Sequence, residues 1–458
     1  MNYEEFLASK KKWAQTKGIG KFYDPNEKMF DHQRAITKWA LQKGRAAIFA
    51  GTGLGKSFMQ LDWGNAVAVV TKKPVILFTP LAVSHNIKQD ADKFGINAQV
   101  VKDQSEVKEG VNITNYQKLD NFDMSEFGGV ILDESSILKN EKGAFRNRLI
   151  EECQNIDYRL CATATPSPND FMELGSHAEF LGVMSYTDML SMFFVHDGGS
   201  TQNWRLKGHA ESKFWEWMCT WAVMLRQPKD LGFDNSGYDL PPLKQIQHLV
   251  DADYGSDMET GMLFPVAANT MQERLAARRA SVEDRCNLAA DITPKDCPFV
   301  WWCNLNSESE MLTKLIPDAV ELSGSDKDEI KEKKLMDFQN GKIRVLVTKP
   351  KICSMGLNWQ HCSNTGFVGL NDSFEQVYQA IRRFYRFGQE KSVTVHYIAS
   401  ELEGAVVSNI KRKERDAEKM ADAMVSHMKD LTSNELQGTK RNTTQYQSDQ
   451  KMILPNWM

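Results

Sequence analysis

Residues 46–57 read AAIFAGTGLGKS, and this stretch decides the fold. The apolar run at 46–50 has the length and composition of a buried strand, and a helical pattern follows Ser57. Glycines between strand and helix let backbone N–H groups face a phosphate, and the helix N-terminus adds a favourable dipole. In such a loop Lys56 neutralises phosphate charge and Ser57 ligates Mg²⁺. The stretch therefore predicts a phosphate-binding loop, although Ala50 stands where the strict motif has glycine.

Two regions of the chain alternate short apolar runs with helical patterns, as parallel-sheet α/β domains do. In the first region the predicted strands are residues 46–50, PVILFT at 74–79, GGVILD at 128–133 and YRLCAT at 158–163. In the second region they are CPFVWWC at 297–303, IRVLVT at 343–348, TGFVGL at 365–370 and SVTVHYIA at 392–399. We therefore predict an α/β protein with two parallel-sheet lobes in tandem.

The segment between these regions has a different character. It is rich in tryptophan, and the run ESKFWEWMCTWAVML at 211–225 is predicted to be helical. The helical spacing of its aromatic residues favours packing over base stacking, so we interpret the segment as a mostly helical insert followed by a linker. From about residue 402 to 431 the chain reads as one long charged helix. Residues 432–458 are polar and predict a poorly ordered tail.

Composition excludes several classes of protein. The 458 residues carry a formal net charge of −4, so any contact with nucleic acid requires a local basic track. No apolar run approaches the ~18 residues of a membrane span, and the N-terminus lacks the apolar region of a secretory signal. The eight cysteines form no CxxC pair, which argues against a zinc ribbon or a disulfide framework. We therefore expect a cytoplasmic protein with reduced thiols and no membrane partner.

Asp133 and Glu134 close the predicted strand at 128–133. Both carboxylates would then lie at the C-terminal edge of the sheet, where α/β proteins bind ligands. Asp133 would hold Mg²⁺, and Glu134 would polarise an attacking water molecule. Such a pair alone is more often a helix cap than a catalytic pair, but the phosphate-binding loop upstream favours the catalytic interpretation.

Motifs between about residues 30 and 400 resemble those of superfamily 2 helicases and follow one another in the same order. They resemble in particular the chromatin-remodeller-like (Snf-type) branch, which translocates on DNA. Besides the phosphate loop, the matching segments are DHQRAI around Gln33, TPLAV at 79–83, ITNYQKL at 113–119, DESSILKN at 133–140, CATATPSPND at 161–170, MLRQPKDLGFDNSGYDLPPL at 224–243, TKPKICSMGLNWQ at 348–360 and QAIRRFYRFGQ at 379–389. Strings such as GLNWQHC look most like small helicases encoded by bacteriophages or prophages.

This resemblance implies ATP and Mg²⁺ as cofactors and assigns roles to individual residues. Gln33 would read adenine, and Ser57 and Asp133 would hold the metal ion. The residues implied to contact the nucleotide are Gln33, Gly51, Thr52, Gly53, Leu54, Gly55, Lys56 and Ser57. The residues implied to couple nucleotide to DNA are Thr163, Thr165, Gly356, Asn358 and Gln379.

The resemblance also implies how the domains are divided. The predicted units are an N-terminal extension at 1–25, a RecA-like ATP-binding domain at 26–168, the helical insert and interlobe linker at 169–290, a RecA-like helicase C-terminal domain at 291–431 and the polar tail at 432–458.

The segment 379–389 is the most specific of the motifs. Arg383 and Arg386 are three residues apart and share one face of a helix. If the second lobe docks on the first, that face reaches the phosphate bound by Lys56, where arginines stabilise transition-state charge. Arg382 is not assigned such a role. The alternative is a solvated basic helix face.

Two segments depart from the family pattern. DESS replaces the usual DEAH or DEGH, so the contact that this motif makes between the domains is altered, and Ser136 is a weak substitute. The segment 348–360 is about two residues longer than the pattern, which affects the register of residues 349–355.

The function expected from these residues is an ATP-dependent DNA helicase or translocase, in which Lys56, Asp133, Glu134, Arg383 and Arg386 catalyse hydrolysis. The expected partner is DNA, whether single-stranded, duplex or branched, and nothing identifies a protein partner. The alternatives are a nucleotide-switched DNA-binding or recruitment module with little motor activity, and a helicase that acts on RNA. A metabolic kinase is disfavoured, because it would not explain the arginine motif or the second lobe.

Overall fold

A computed structural model describes residues 18–19, 23–80, 83–139, 143–167, 170–196, 204–250, 276, 278–353, 358–370, 373–401 and 404–436. The strands of the first lobe are β1 (Arg45–Ala50), β2 (Val75–Thr79), β3 (Ala98–Val100), β4 (Val111–Asn115), β5 (Gly129–Asp133), β6 (Tyr158–Thr163), a hairpin of β7 (Phe194–His196) and β8 (Trp204–Leu206), and β9 (Ala222–Leu225). Seven of them form one sheet in the order β3-β4-β2-β5-β6-β1-β9, and each neighbouring pair is parallel.

Helices cover both faces of this sheet. They are α1 (Asp31–Lys43), α2 (Lys56–Thr71), α3 (Ser84–Phe94), α4 (Ala144–Cys153), α5 (Leu174–Phe180), α6 (Tyr186–Phe193) and α7 (Glu211–Cys219). The strands are buried on both sides, and two apolar clusters form, one on each face of the sheet. Burial on both faces explains why the strands read as continuous apolar runs instead of alternating ones.

The second lobe repeats this architecture. Its strands are β10 (Leu243–Val250), β11 (Phe299–Trp302), β12 (Ala319–Glu321), β13 (Val345–Thr348), β14 (Asn364–Phe367) and β15 (Val393–Ser400), which form a parallel sheet in the order β10-β15-β14-β11-β13-β12. Its helices are α8 (Val282–Ile292), α9 (Asn306–Leu315), α10 (Asp328–Gln339), α11 (Pro350–Cys353), α12 (Phe374–Ile381) and α13 (Gly404–Leu436). Arg285 and Glu308, both fully buried, form an ion pair of 2.8 Å that ties α8 to α9. The predicted fold class of two parallel-sheet lobes is confirmed.

The segment predicted as a helical insert and linker contributes a strand to each sheet. The run at 211–225 is helical only to Cys219, and residues 222–225 form β9 beside β1. Further along, β10 forms the edge of the second sheet beside β15. The periodicity of apolar residues does not distinguish a short apolar strand from the end of a buried helix. Residues 222–225 form a strand because β1 offers them backbone hydrogen bonds. Residues of the predicted insert and linker therefore take part in both sheets.

Helix α13 packs against both lobes. Near its start, Val407 and Ile410 are buried in the core of the second lobe. Further along, Met424 and Met428 are buried in the core of the first lobe, and Asp422 pairs with Arg226 there. The predicted charged helix is thus confirmed and extends to residue 436, whereas the rest of the predicted tail lies outside the described residues. In the described part of the chain, no helix has the length and apolar character needed to cross a membrane.

Candidate active site

The loop between β1 and α2 requires glycine at two positions. Gly53 and Gly55 have φ values of 90° and 78°, in the left-handed region. A Cβ atom at Gly53 would lie 2.9 Å from the backbone nitrogen of Phe387, and one at Gly55 would lie 2.2 Å from Nε2 of Gln33. The start of the loop is fixed by β9, because Gly51 N donates to the carbonyl of Leu225 over 2.9 Å. These constraints hold the loop at the N-terminus of α2.

Lys56, the first residue of α2, faces the acidic pair predicted from the sequence. Its Nζ donates to the carbonyl of Ala50 over 2.9 Å. Its charge acts to lower the pKa of both Asp133 and Glu134, against the effect of their burial. The structure therefore brings the loop lysine and both carboxylates together at the C-terminal ends of β1 and β5.

Asp133 is held by side chains from α2 and the neighbouring strands. Its carboxylate accepts hydrogen bonds from Nε2 of Gln60 over 2.8 Å and from Oγ1 of Thr79 over 2.9 Å. Its backbone carbonyl accepts a third, from the hydroxyl of Tyr116 over 2.6 Å. Burial raises the pKa of Asp133, and the two side-chain donors oppose that rise because they stabilise the charged form.

Glu134 has a φ of 52°, which is uncommon for a residue other than glycine. Its carboxylate accepts a hydrogen bond from Oγ1 of Thr163 over 3.1 Å. Burial raises the pKa of Glu134, whereas the positive charges of Lys56 and Arg383 lower it. A buried carboxylate whose pKa is raised, and which charges from both lobes influence, has the character of a general base.

The two arginines of the motif at 379–389 have different environments. Arg383 is 5% exposed and acts electrostatically on Glu134 of the first lobe. Burial lowers the pKa of Arg386, and the carboxylate of Asp90 on α3 opposes that shift. The prediction that both arginines share a helix face is wrong, because α12 ends at Ile381 and Arg383 and Arg386 lie in the turns that follow it. The backbone turns there separate the two side chains, so that Arg383 acts on the acidic pair and Arg386 interacts with the charge of Asp90.

A second contact between the lobes begins in the DESS segment. Oγ of Ser136 lies 3.3 Å from Oε1 of Glu375 on α12, and Lys139 forms an ion pair with the same carboxylate. Sequence reasoning did not identify Glu375 or Lys139 as interface residues. Their pairing follows from the docking of two lobes, and no local pattern signals it.

The residues predicted to couple nucleotide to DNA are spread along the cleft. The backbone N–H of Thr165 donates to Oγ1 of Thr163 over 3.1 Å, and the buried hydroxyl of Thr165 has no hydrogen-bond partner among the described residues. Asn358 is exposed, and Gln379 is half-buried on α12. Gly356 lies outside the described residues.

Gln33, the residue predicted to read adenine, lies directly against the loop. Its Nε2 donates to the carbonyl of Leu54 over 3.1 Å, and its Oε1 accepts from the backbone of Phe30 over 3.0 Å. The ring of Phe30 lies 6.5 Å from that of Tyr238 and 6.1 Å from that of Phe387, between centroids. Aromatic rings from the first lobe, the linker and the second lobe therefore meet beside the loop.

This arrangement fits a magnesium nucleotide. The loop glycines, the N-terminus of α2 and Lys56 are suited to phosphate groups. The hydroxyl of Ser57 and the carboxylate of Asp133 are oxygen donors of the kind that Mg²⁺ prefers. The fold and site therefore define a two-lobed protein with a phosphate-binding loop.

Two protein-family models match parts of this chain, one in each lobe. Residues 36–199 match the SNF2-related domain, and residues 293–388 match the helicase conserved C-terminal domain. The first match contains the loop and the acidic pair, and the second contains Arg383 and Arg386. The chain is thus similar to an SNF2-related domain over part of the first lobe and to a helicase C-terminal domain over part of the second.

One solved structure is described as the Sulfolobus solfataricus SWI2/SNF2 ATPase core in complex with dsDNA. It is 17% identical to this chain, with a TM-score of 0.40, and the alignment covers 91% of this chain and 97% of that one. No curated protein matches the chain.

Proposed function

We propose that this protein is a DNA-dependent ATPase that uses hydrolysis to move along or remodel DNA. The observation that carries the proposal is the position of Arg383, a residue of the second lobe that acts on Glu134 of the first lobe beside Lys56. A site assembled from two lobes makes hydrolysis depend on how they dock, which a motor needs and an isolated nucleotide-binding domain does not.

Each residue of the site has a role in this proposal. Backbone N–H groups of the loop and the ammonium of Lys56 bind the phosphates, and Gln33 contacts the base. Ser57 and Asp133 hold Mg²⁺, which neutralises phosphate charge when it is bound. Glu134, fixed by Thr163, orients the attacking water molecule and accepts its proton.

Arg383 stabilises the charge that develops on the transferred phosphoryl group. Arg386 interacts with the charge of Asp90 on α3, and we propose that it contributes to the same task when the cleft closes. Closure also changes the contacts of Ser136 and Lys139 with Glu375. Hydrolysis is thereby linked to the relative position of the lobes.

DNA is the proposed partner because the first lobe matches the SNF2-related domain. Thr163 and Thr165 lie between the carboxylate of Glu134 and the interlobe cleft, and we propose that they transmit closure to the bound strand. Successive closing and opening would then advance the lobes along the backbone. The resemblance to small helicases of bacteriophages supports a role in the cytoplasm of a bacterial host.

The test is the ATPase rate of the whole chain without nucleic acid and with single-stranded, duplex and forked DNA and RNA. We expect DNA to stimulate turnover, and we expect binding to a single strand to weaken with salt at a log–log slope of about −0.7 per phosphate contacted. Stimulation by RNA alone would identify an RNA helicase. Tight DNA binding without stimulated turnover would identify a nucleotide-switched recruitment module and would contradict the proposal.

A further inference from the structure

A buried histidine lies behind the acidic pair and belongs to none of the roles described above. His177 is on α5 and is fully buried, as is Ser135, the residue that follows Glu134. Nε2 of His177 is 3.1 Å from the hydroxyl oxygen of Ser135. The ring also packs edge-on against Phe49 of β1, with 5.2 Å between centroids. Two polar groups therefore meet inside the core, one residue away from Glu134.

Both nitrogens of the ring have polar neighbours. Nδ1 lies 3.4 Å from the backbone carbonyl of Glu173, which can only accept a hydrogen bond. In the tautomer with the proton on Nδ1, Nε2 accepts the hydroxyl hydrogen of Ser135. Burial favours the neutral imidazole over the charged one. In this tautomer Ser135 is the donor toward α5.

This hydrogen bond completes a set that surrounds the left-handed backbone of Glu134. The preceding carbonyl, that of Asp133, accepts from Tyr116 over 2.6 Å, and the carboxylate of Glu134 accepts from Thr163 over 3.1 Å. On the C-terminal side of Glu134, the backbone is held by the hydrogen bond between Ser135 and His177. A residue other than glycine keeps a φ of 52° only when its surroundings enforce it.

We propose that His177 is a positioning residue for Glu134. It accepts the hydroxyl of Ser135 and so holds the peptide that aims the Glu134 carboxylate, while it contacts neither nucleotide nor DNA. Both partners are fully buried, which excludes a nucleophilic serine activated by histidine. The inference rests on the proposed function, since it assigns the alignment of the water-activating carboxylate to a side chain outside the site.

The test uses three variants that remove the hydrogen bond: Ser135→Ala, His177→Leu and the double variant of these two. They are compared with His177→Gln, whose amide oxygen can still accept the hydroxyl hydrogen of Ser135. We expect each of the three variants that remove the hydrogen bond to lower DNA-stimulated kcat about tenfold. Their ATP affinity should stay within about twofold of wild type. His177→Gln should recover at least half of the loss in kcat. The double variant should lose no more than either single one, because both remove the same hydrogen bond. Ser176→Ala is the matched control, because its buried hydroxyl, also on α5, has no partner among the described residues.

Normal kcat in a folded His177→Leu variant would overturn the inference, and so would losses that multiply in the double variant. A parallel fall in kcat and ATP affinity would indicate general disruption and would also overturn it. Amide hydrogen exchange across residues 129–139 supplies a readout that needs no activity, and it should rise in His177→Leu and stay low in His177→Gln. If the wild type shows no stimulated ATPase, the proposed function fails, while the exchange result still decides whether His177 holds this backbone.

Discussion

Replacing His177 with glutamine should make the protein less sensitive to acid. Burial lowers the pKa of this imidazole from 6.5 to about 4. Between those values the unfolded chain binds a proton at this position and the folded chain does not. The contribution of His177 to the free energy of unfolding is therefore fully present above pH 6.5, and it falls as the pH drops toward 4.

The size of the effect follows from the shift. A difference of one pKa unit corresponds to 1.36 kcal/mol, so the full loss is about 3 kcal/mol, and about 2 kcal/mol of it is lost by pH 5. His177→Gln cannot titrate and should lack this component. Carboxylates elsewhere titrate equally in both proteins, so they cancel in the comparison.

The assay is urea unfolding of the whole chain at pH 7.5 and pH 5, followed by tryptophan fluorescence. The first lobe contains the buried residues Trp39, Trp63 and Trp221, which report its unfolding. We expect the wild type to lose about 2 kcal/mol more than His177→Gln over this interval. The control His209→Gln removes an exposed imidazole and should behave like the wild type. Equal pH dependence in wild type and His177→Gln would refute the placement of a neutral imidazole in this core.

The remaining predictions concern the site and the second lobe. Lys56→Ala should abolish hydrolysis and weaken nucleotide binding, because it removes the one cationic side chain of the loop, whereas Glu134→Gln should bind nucleotide and fail to turn over. Nucleotide titration and a coupled ATPase assay separate the two, and normal turnover in Glu134→Gln would exclude it as the base. Arg383→Ala should retain binding and lose a large part of the factor of about 10³–10⁵ that arginine fingers supply, while Arg382→Ala, a control whose guanidinium lies over tyrosine rings, should stay near wild type. Glu308→Ala should destabilise the second lobe by about 3–5 kcal/mol in denaturant unfolding, since it removes the carboxylate of a fully buried ion pair, and a loss under about 1 kcal/mol would contradict that.

Local patterns in the sequence account for most of the fold. Continuous apolar runs predicted the strands β1, β2, β5, β6, β11, β13, β14 and β15, because a parallel strand buried on both faces needs apolar residues throughout. The phosphate-binding loop was also predictable from local sequence, because Gly53 and Gly55 adopt backbone conformations that other residues rarely take. Asp133 and Glu134 followed from their place at the end of a strand.

Strand prediction from the sequence failed where a segment pairs with the edge of a strand that is distant along the chain. Residues 222–225 form a strand because the free edge of β1 accepts them, and β10 joins the second sheet because the edge of β15 does. Neither edge is visible in the residues of the segment itself. Composition and spacing therefore indicated a mostly helical insert, whereas the structure has strands there as well as helices.

The contacts between the lobes were decided only by the tertiary structure. The spacing of Arg383 and Arg386 predicted a shared helix face, yet both lie in turns beyond the end of α12, where one acts on Glu134 and the other interacts with the charge of Asp90. Arg383 is more than 300 residues from the loop lysine in sequence, so its position depends on the docking of two separately folded lobes. Within the first lobe, tertiary packing also decided the hydrogen bond between His177 on α5 and Ser135, the second residue after β5. The sequence by itself determined which chemical groups this protein has and the strands that carry most of them, whereas packing between distant segments determined which groups meet.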